Sequence, residues 1–403
     1  MKILKYSVID EYRISKKEAV YITAVFLKFA VQILTMSVVP NMIGESLCQK
    51  LFKLMTYSSY ALVVCSVFMD FVYSKSEVIQ ISIIVLITLV GSYFSGNTIM
   101  LLMLYIYGAK RINTERVIRF VCGWSIGAFL IIAVGSKIGI IENWDFFTET
   151  SRPRWGLGFT YPTHTSSALF SAVLLFCYVQ KDKLKIWHIA VIEAVNYWVY
   201  TYTDSRAGAY LILIIPVAFY LLRYIHTPIR TSSFRGVLEF VFPICAAAII
   251  ILTIRYNGTG LLQKLDQILS GRLRYSQYSL REYGVHLFGQ RITWVGWGGI
   301  GHTQEKLSGE YNYVDSSYLQ LLLTHGVLVW SMLMLLWTGS SFFAVLSNDR
   351  YLAWALAFLA VYCMVEQWLM NLGANPFLII LAKPLFNSSE CRQIIRFREP
   401  QLS

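Results

Sequence analysis

The chain is written as one apolar run after another, most of them near the length that crosses a bilayer, with short polar joints between them. A helix needs roughly 20 apolar residues to cross the hydrocarbon core, with about 17–25 typical. Twelve candidate spans follow: 19–39, 54–73, 78–94, 97–109, 117–140, 164–180, 186–202, 207–222, 237–254, 320–346, 351–371 and 375–386. The runs at 97–109 and 375–386 are the shortest. Charged residues make up only 14% of the 403 and hydrophobic ones 56%, whereas a soluble domain carries about a quarter charged residues. Lipid is therefore the solvent this chain is written for. The expected fold is all-α, with residues 1–403 forming a single polytopic membrane domain of about twelve helices.

The first run begins at Ala19 behind a basic segment (Lys2, Lys5, Arg13, Lys16, Lys17) and continues to Val39 with no short apolar core or small-residue cleavage site. It reads as an anchor rather than a signal peptide. With the N-terminus inside, the inside segments hold 21 of the 35 Lys and Arg, and the short outside loops hold six. The opposite orientation inverts that bias, so both termini are expected in the cytoplasm. Dispersal of the cations between spans also removes nucleic acid as the explanation of the +12 charge. Seven cysteines are scattered, five of them inside apolar runs, with no CxxC or Cys/His spacing. Neither a disulfide framework nor a metal site is expected.

One segment breaks the pattern. Residues 255–315 form a long basic and aromatic connection, expected outside, carrying Arg272, Arg274, Arg281, Arg291, Tyr275, Tyr278, Tyr283, Trp294 and the cluster Gly296-Trp297-Gly298-Gly299. Loops of that length without regular structure are usually functional. The same face collects Arg152 and Arg154 in Ser-Arg-Pro-Arg-Trp and Arg206 in Asp-Ser-Arg-Ala-Gly. Guanidinium groups bind phosphate bidentately and stay charged. Converging, these arginines suit a pyrophosphate; singly, each suits a lipid headgroup or a neighbouring carboxylate. Arg206 stands apart, because it opens the 207–222 run in a very short loop where a cation costs insertion energy and works against topology.

The aromatic residues fit sugar rings or the interfacial belt of a membrane protein. His164, His286, His302 and His325 lie on or near this face and could take a proton from an attacking hydroxyl. His164 opens a span directly behind the Arg152/Arg154 loop, although a histidine simply satisfied at a helix start is the blander reading. Glu142, Asp145, Asp204, Asp266, Glu282 and Asp315 are carboxylate alternatives, and Asp315 is also placed to cap the helix that follows it. No DxD pair occurs, so metal-dependent use of a nucleotide sugar is unsupported. Glu193, Asn196, Glu366 and Gln367 fall inside apolar runs and read as buried hydrogen-bonding groups rather than a proton path. Gly123-x-x-x-Gly127 and Gly135-x-x-x-Gly139 read as helix-packing motifs.

Five short motifs in a fixed order carry a resemblance. They are Gly158-Phe-Thr-Tyr-Pro-Thr-His164, Ser205-Arg206-Ala-Gly208, Ser270-Gly271-Arg272, Gly296-Trp297-Gly298, and Asp315-Ser316-Ser317-Tyr318-Leu319-Gln320 ahead of Gly326. Over roughly residues 150–345 the chain resembles the oligosaccharide repeat-unit polymerases (Wzy) and the related O-antigen ligases. The resemblance implies a glycosyltransferase C-like, metal-independent membrane enzyme with no cofactor. Its donor and acceptor would be undecaprenyl-pyrophosphate-linked oligosaccharides, and its product a capsular or exopolysaccharide outside the cytoplasmic membrane. A flippase, a chain-length regulator and membrane lipid would be its partners. On that reading Arg206 and Arg272, supported by Arg152, Arg154 and Arg291, hold the pyrophosphate. Asp315 or His164 handles the acceptor hydroxyl, and Trp297, Tyr318 and Tyr275 contact sugar. Ligases typically carry His-Asn where this chain has Asp315-Ser316, which favours the polymerase over ligase-like glycan transfer. A lipid-linked oligosaccharide flippase is the remaining alternative; it would call for a repeat and polar residues at the midplane.

Overall fold

The computed structural model describes residues 14–70, 72–97, 99–148, 151–296 and 311–386, without the side chains of 147, 148, 151 and 152. In chain order the helices are α1 (Lys16–Thr35), α2 (Val39–Ile43), α3 (Glu45–Phe68), α4 (Lys75–Ser95), α5 (Ile99–Gly108) and α6 (Thr114–Lys137). A small antiparallel hairpin, β1 (Asp145–Thr148) and β2 (Ser151–Trp155), precedes α7 (Pro162–Gln180), α8 (Ile186–Thr203), α9 (Arg206–Leu222), α10 (Arg235–Glu239) and α11 (Val241–Arg255). Then come α12 (Gly260–Ile268), α13 (Arg272–Tyr283), α14 (Ser317–Leu346), α15 (Arg350–Tyr362), a 3-10 segment Pro376–Leu381 and α16 (Ala382–Phe386). Helices dominate because a backbone taken out of water must satisfy its own polar groups, and each apolar run does so within itself.

Six helices, α1, α3, α4, α6, α7 with its extension to Lys183, and α14, are long and apolar enough to cross a membrane. The runs expected at 97–109, 207–222, 237–254 and 351–371 fall on shorter apolar helices, and the last of these stops being helical at Tyr362. The long connection is also more ordered than a loop, since α12 and α13 are built from it.

The segments rich in expected inside cations gather at one end. There Lys17 pairs with Asp70 at 3.3 Å, Lys110 with Glu77 at 3.0 Å, Arg116 with Glu18 at 2.7 Å and Lys181 with Glu115 at 2.9 Å. Arg350 Nη1 donates to Leu222 O, and Ile229 N to Asn348 Oδ1. Three helices leave this end with side-chain caps, from Ser15, Ser74 and Asn113, the second forming a full capping box with Glu77. At the opposite end the 37–38 turn joins the 158–160 turn, with Val38 N donating to Gly158 O and Thr160 N to Met36 O.

Two details depart from the sequence reading. A Cβ added at Gly123, Gly127 or Gly139 would meet nothing within 4 Å, and at Gly135 it would meet only Ile141. The GxxxG spacings are therefore not where helices touch. The close approach is at Gly208, where a Cβ would come within 2.0 Å of Ser166 Oγ on α7. The long helix α14 breaks at Gly326, whose φ of 78° and ψ of 173° leave the helical region. The 286–290 segment repairs the break: Val327 N donates to His286 O, Leu328 N to Leu287 O, and Gln290 N to Thr324 O. A kink in an apolar helix survives when protein groups replace the lost ladder.

Candidate active site

The site begins with a tight turn. Ser270 and Gly271 adopt φ of 59° and 83°, left-handed values that turn the chain between α12 and α13. For serine that conformation is strained by roughly 1–2 kcal/mol, so neighbouring bonds must hold it. Gly271 N donates to Asp266 O at 2.8 Å. The Asp266 carboxylate accepts from Leu273 N at 2.9 Å, Arg274 N at 3.1 Å and the Tyr256 hydroxyl at 3.1 Å. A buried carboxylate thus satisfies the orphan N–H groups of α13 at the positive end of its dipole. Asp266, one of the carboxylates weighed for chemistry, is a structural cap. Its effect is to set Arg272 as the first residue of α13.

Arg272 bridges two carboxylates. Its Nε donates to Asp315 Oδ2 at 3.0 Å and its Nη2 to Glu366 Oε1 at 2.7 Å. Burial works against the guanidinium charge, but Glu366 and Asp315 overcome it and hold the Arg272 pKa above its ordinary value. The three side chains differ in exposure, at 15% for Arg272, 27% for Asp315 and 7% for Glu366. Asp315 is thus the carboxylate an incoming molecule can reach, and Glu366 is the counter-ion behind it. Ser317 fixes the geometry: its N–H and hydroxyl both donate to Glu366 O, and its oxygen accepts from Leu369 N at 3.1 Å. Asp315 does not cap α14; the N-cap position belongs to Ser316, which makes no side-chain cap bond. The reason is that the Asp315 carboxylate is turned to Arg272.

Aromatic hydroxyls ring this cluster. Tyr161, at the start of α7, feels Arg154, Asp315, Arg272 and Glu366; burial first, and then the carboxylates, push its pKa up against the two arginines. Burial and the nearby Asp315 likewise raise Tyr311 and Tyr313. These phenols stay protonated at neutral pH and present donors. Tyr275 packs against Tyr311 with ring centres 4.4 Å apart, under the Arg274 guanidinium. Gln320 Nε2 donates to Gln367 Oε1 at 3.1 Å. His164 shares a hydrogen bond with Thr160 Oγ1 at 3.0 Å and packs against Trp368 and Tyr161.

The remaining candidates are distributed unevenly. Arg154 lies near Tyr161 but spends its Nε on Thr203 O at 2.6 Å and its Nη2 on Ser205 Oγ at 3.3 Å. Arg206, in the same turn, is 45% exposed and faces Asp204 at 3.7 Å. Arg291 is exposed and packs against Gly96 at the C-terminal end of α4, in an open groove with Leu89, Tyr93 and Phe94. Among the described residues nothing joins it to Arg272. Tyr318 is a correction: it is fully buried, and its hydroxyl donates to Ala360 O at 2.9 Å, so it has no face to offer a sugar. It packs α14 onto α15. Trp297, His302 and the side chain of Arg152 lie outside the described residues. Among the described residues no three His, Cys, Asp or Glu side chains group as metal ligands.

Glu366 is the residue the sequence reading set aside. It sits inside an apolar run and looks like an isolated buried acid. An ionisable group in such a run is a functional hypothesis by default, but the sequence shows no partner for it. Comparison with family models, with curated proteins and with solved structures finds no match to this chain.

Proposed function

We propose that the chain is a metal-independent membrane glycosyltransferase that polymerises undecaprenyl-pyrophosphate-linked oligosaccharide repeats on the outer side of the bacterial cytoplasmic membrane, yielding capsule or exopolysaccharide. The observation that carries this reading is the meeting of three motif segments far apart in the chain. Tyr161 and His164, Arg272 with its preceding turn, and Asp315 with Gln320 converge on one cluster. Supporting it, this cluster lies at the end of the bundle away from the cation-rich segments. On this reading twelve apolar segments cross or enter the bilayer in a glycosyltransferase C-like arrangement, with both termini in the cytoplasm.

The growing chain on its lipid pyrophosphate is the donor, and the terminal sugar of a second lipid-linked repeat supplies the hydroxyl. Asp315, the more accessible of the two carboxylates, accepts that proton as the oxygen attacks C1. The C1–O bond to pyrophosphate breaks and its electron pair leaves with the pyrophosphate. The guanidinium of Arg272 still has Nη1 to offer, and Arg154, on β2 near Tyr161, is bound to the 203–205 turn that Arg206 follows. Fixed cations at a departing anion act on the transition state and contribute several kcal/mol, of the order of 3–4 per well-placed donor. Glu366 keeps Arg272 charged and aimed. The protonated tyrosines and Tyr275 provide hydrogen bonds and a flat face for sugar.

Two assays decide between this reading and its rivals. Purified protein with a lipid-linked repeat should yield a ladder of polymer without added metal. A deletion strain should accumulate single repeats on lipid. Full-length chains lacking attachment would instead indicate a ligase, and repeats retained on the inner face a flippase.

A further inference from the structure

We propose that α12 lies in the headgroup layer of the membrane, held there by phospholipid, and that its seating sets the position of Arg272 through Asp266. Helix α12 is amphipathic. Leu261, Leu265 and Ile268 fall within about 60° of its circumference at 3.6 residues per turn. Leu261 is 81% exposed and Ile268 59%, with Leu265 half-buried between them. Gln263 and Gln267 occupy the other side and are exposed, and Lys264, also exposed, borders the stripe. A short helix with one bare apolar stripe and one polar face is the form that lies along a bilayer surface.

Two further observations identify lipid as what covers the stripe. The last turn of α11 leaves Ile251 and Ile254 exposed, only residues 256–259 separate it from α12, and the Tyr256 hydroxyl donates to Asp266 on α12. Bilayer lipid that covers the end of α11 is therefore within a short reach of α12. Lys264, exposed beside the stripe, and Arg255, exposed at the end of α11, match the charge of lipid phosphates.

The connection to the site is covalently short and hydrogen-bonded throughout. Asp266 belongs to α12, yet its carboxylate and carbonyl hold Gly271, Leu273 and Arg274 at the start of α13. Gln277 on α13 donates to Thr253 O and Tyr256 O at the end of α11. Shifting α12 relative to the bilayer therefore moves the turn that carries Arg272. The lipid contact stands whether or not the chain is a polymerase, and neither measurement below involves glycan.

The test uses the full chain in phosphatidylcholine–phosphatidylglycerol vesicles. Spin labels are placed at Leu261→Cys and, separately, Gln263→Cys, with Cys65 and Cys391 changed to Ser. The label at 261 should be relaxed by oxygen and shielded from an aqueous nickel chelate, with the label at 263 behaving oppositely. Equal chelate access at both positions overturns the lipid contact. For the coupling, Leu261→Glu with Ile268→Glu should raise amide exchange over residues 270–275 by about tenfold or more relative to the parent, because the cap is loosened. Unchanged exchange there, with α12 displaced, overturns the link to Arg272.

Discussion

Replacing Arg272 by alanine removes the one cation between two carboxylates, and the structure sets how severe that is. Glu366, only 7% exposed, loses a 2.7 Å charged hydrogen bond, and Asp315 loses one at 3.0 Å. Removing one partner of a buried ion pair destabilises by about 3–5 kcal/mol, because the other charge is left without compensation. Much of the effect is thus the stranded Glu366, and adding Glu366→Gln to Arg272→Ala should restore roughly 1–3 kcal/mol. On the proposed function, polymer formation should stay absent in that double variant, because the cation assigned to the leaving group is still missing. Lysine at 272 should fold but polymerise poorly, since a point charge lacks the planar fork that spans both carboxylates. The assays are chemical unfolding of purified protein in detergent, followed by tryptophan fluorescence, and polymer length from a lipid-linked repeat. An Arg272→Ala protein as stable as the parent would refute the buried-pair argument. A double variant that polymerises normally would refute the role of Arg272 at the pyrophosphate.

Four other outcomes follow from the same geometry. Arg206 is half-exposed and its ion pair is 3.7 Å long, so Arg206→Ala should change stability by about 1 kcal/mol or less while shortening polymer, read by the same two assays. Asp315→Asn keeps the shape and a hydrogen bond to Arg272 but removes the proton acceptor; it should slow polymerisation by about 100-fold or more, with a smaller loss for His164→Gln. Polymerisation at the parental rate in both variants would remove each as the base. Gly208→Ala should destabilise by about 1–3 kcal/mol through its clash with Ser166 Oγ, and Ser166→Gly should relieve it, as thermal unfolding of the pair would show. Reporter fusions at Lys183 and Arg230 should read cytoplasmic and one at Gly258 external, and a cytoplasmic signal at Gly258 would reverse the orientation.

The chain's own pattern settled the coarse architecture. Apolar runs of bilayer length and a deficit of charge leave helices as the only economical backbone, and the scatter of lysines and arginines groups the connecting segments at opposite ends. Periodicity carries this information locally, so α1, α4, α6 and α7 are legible without a fold. Arg272 and Asp315 were legible too, because a basic turn and an acid before a span stand out against apolar surroundings. What they do was not. That Arg272 is already neutralised by two carboxylates, that Asp266 caps α13 and that Tyr318 is buried depend on which turns meet. Glu366 lies 94 residues from Arg272, and no spacing rule links them. Composition determines what must leave water; only packing determines which charge faces which.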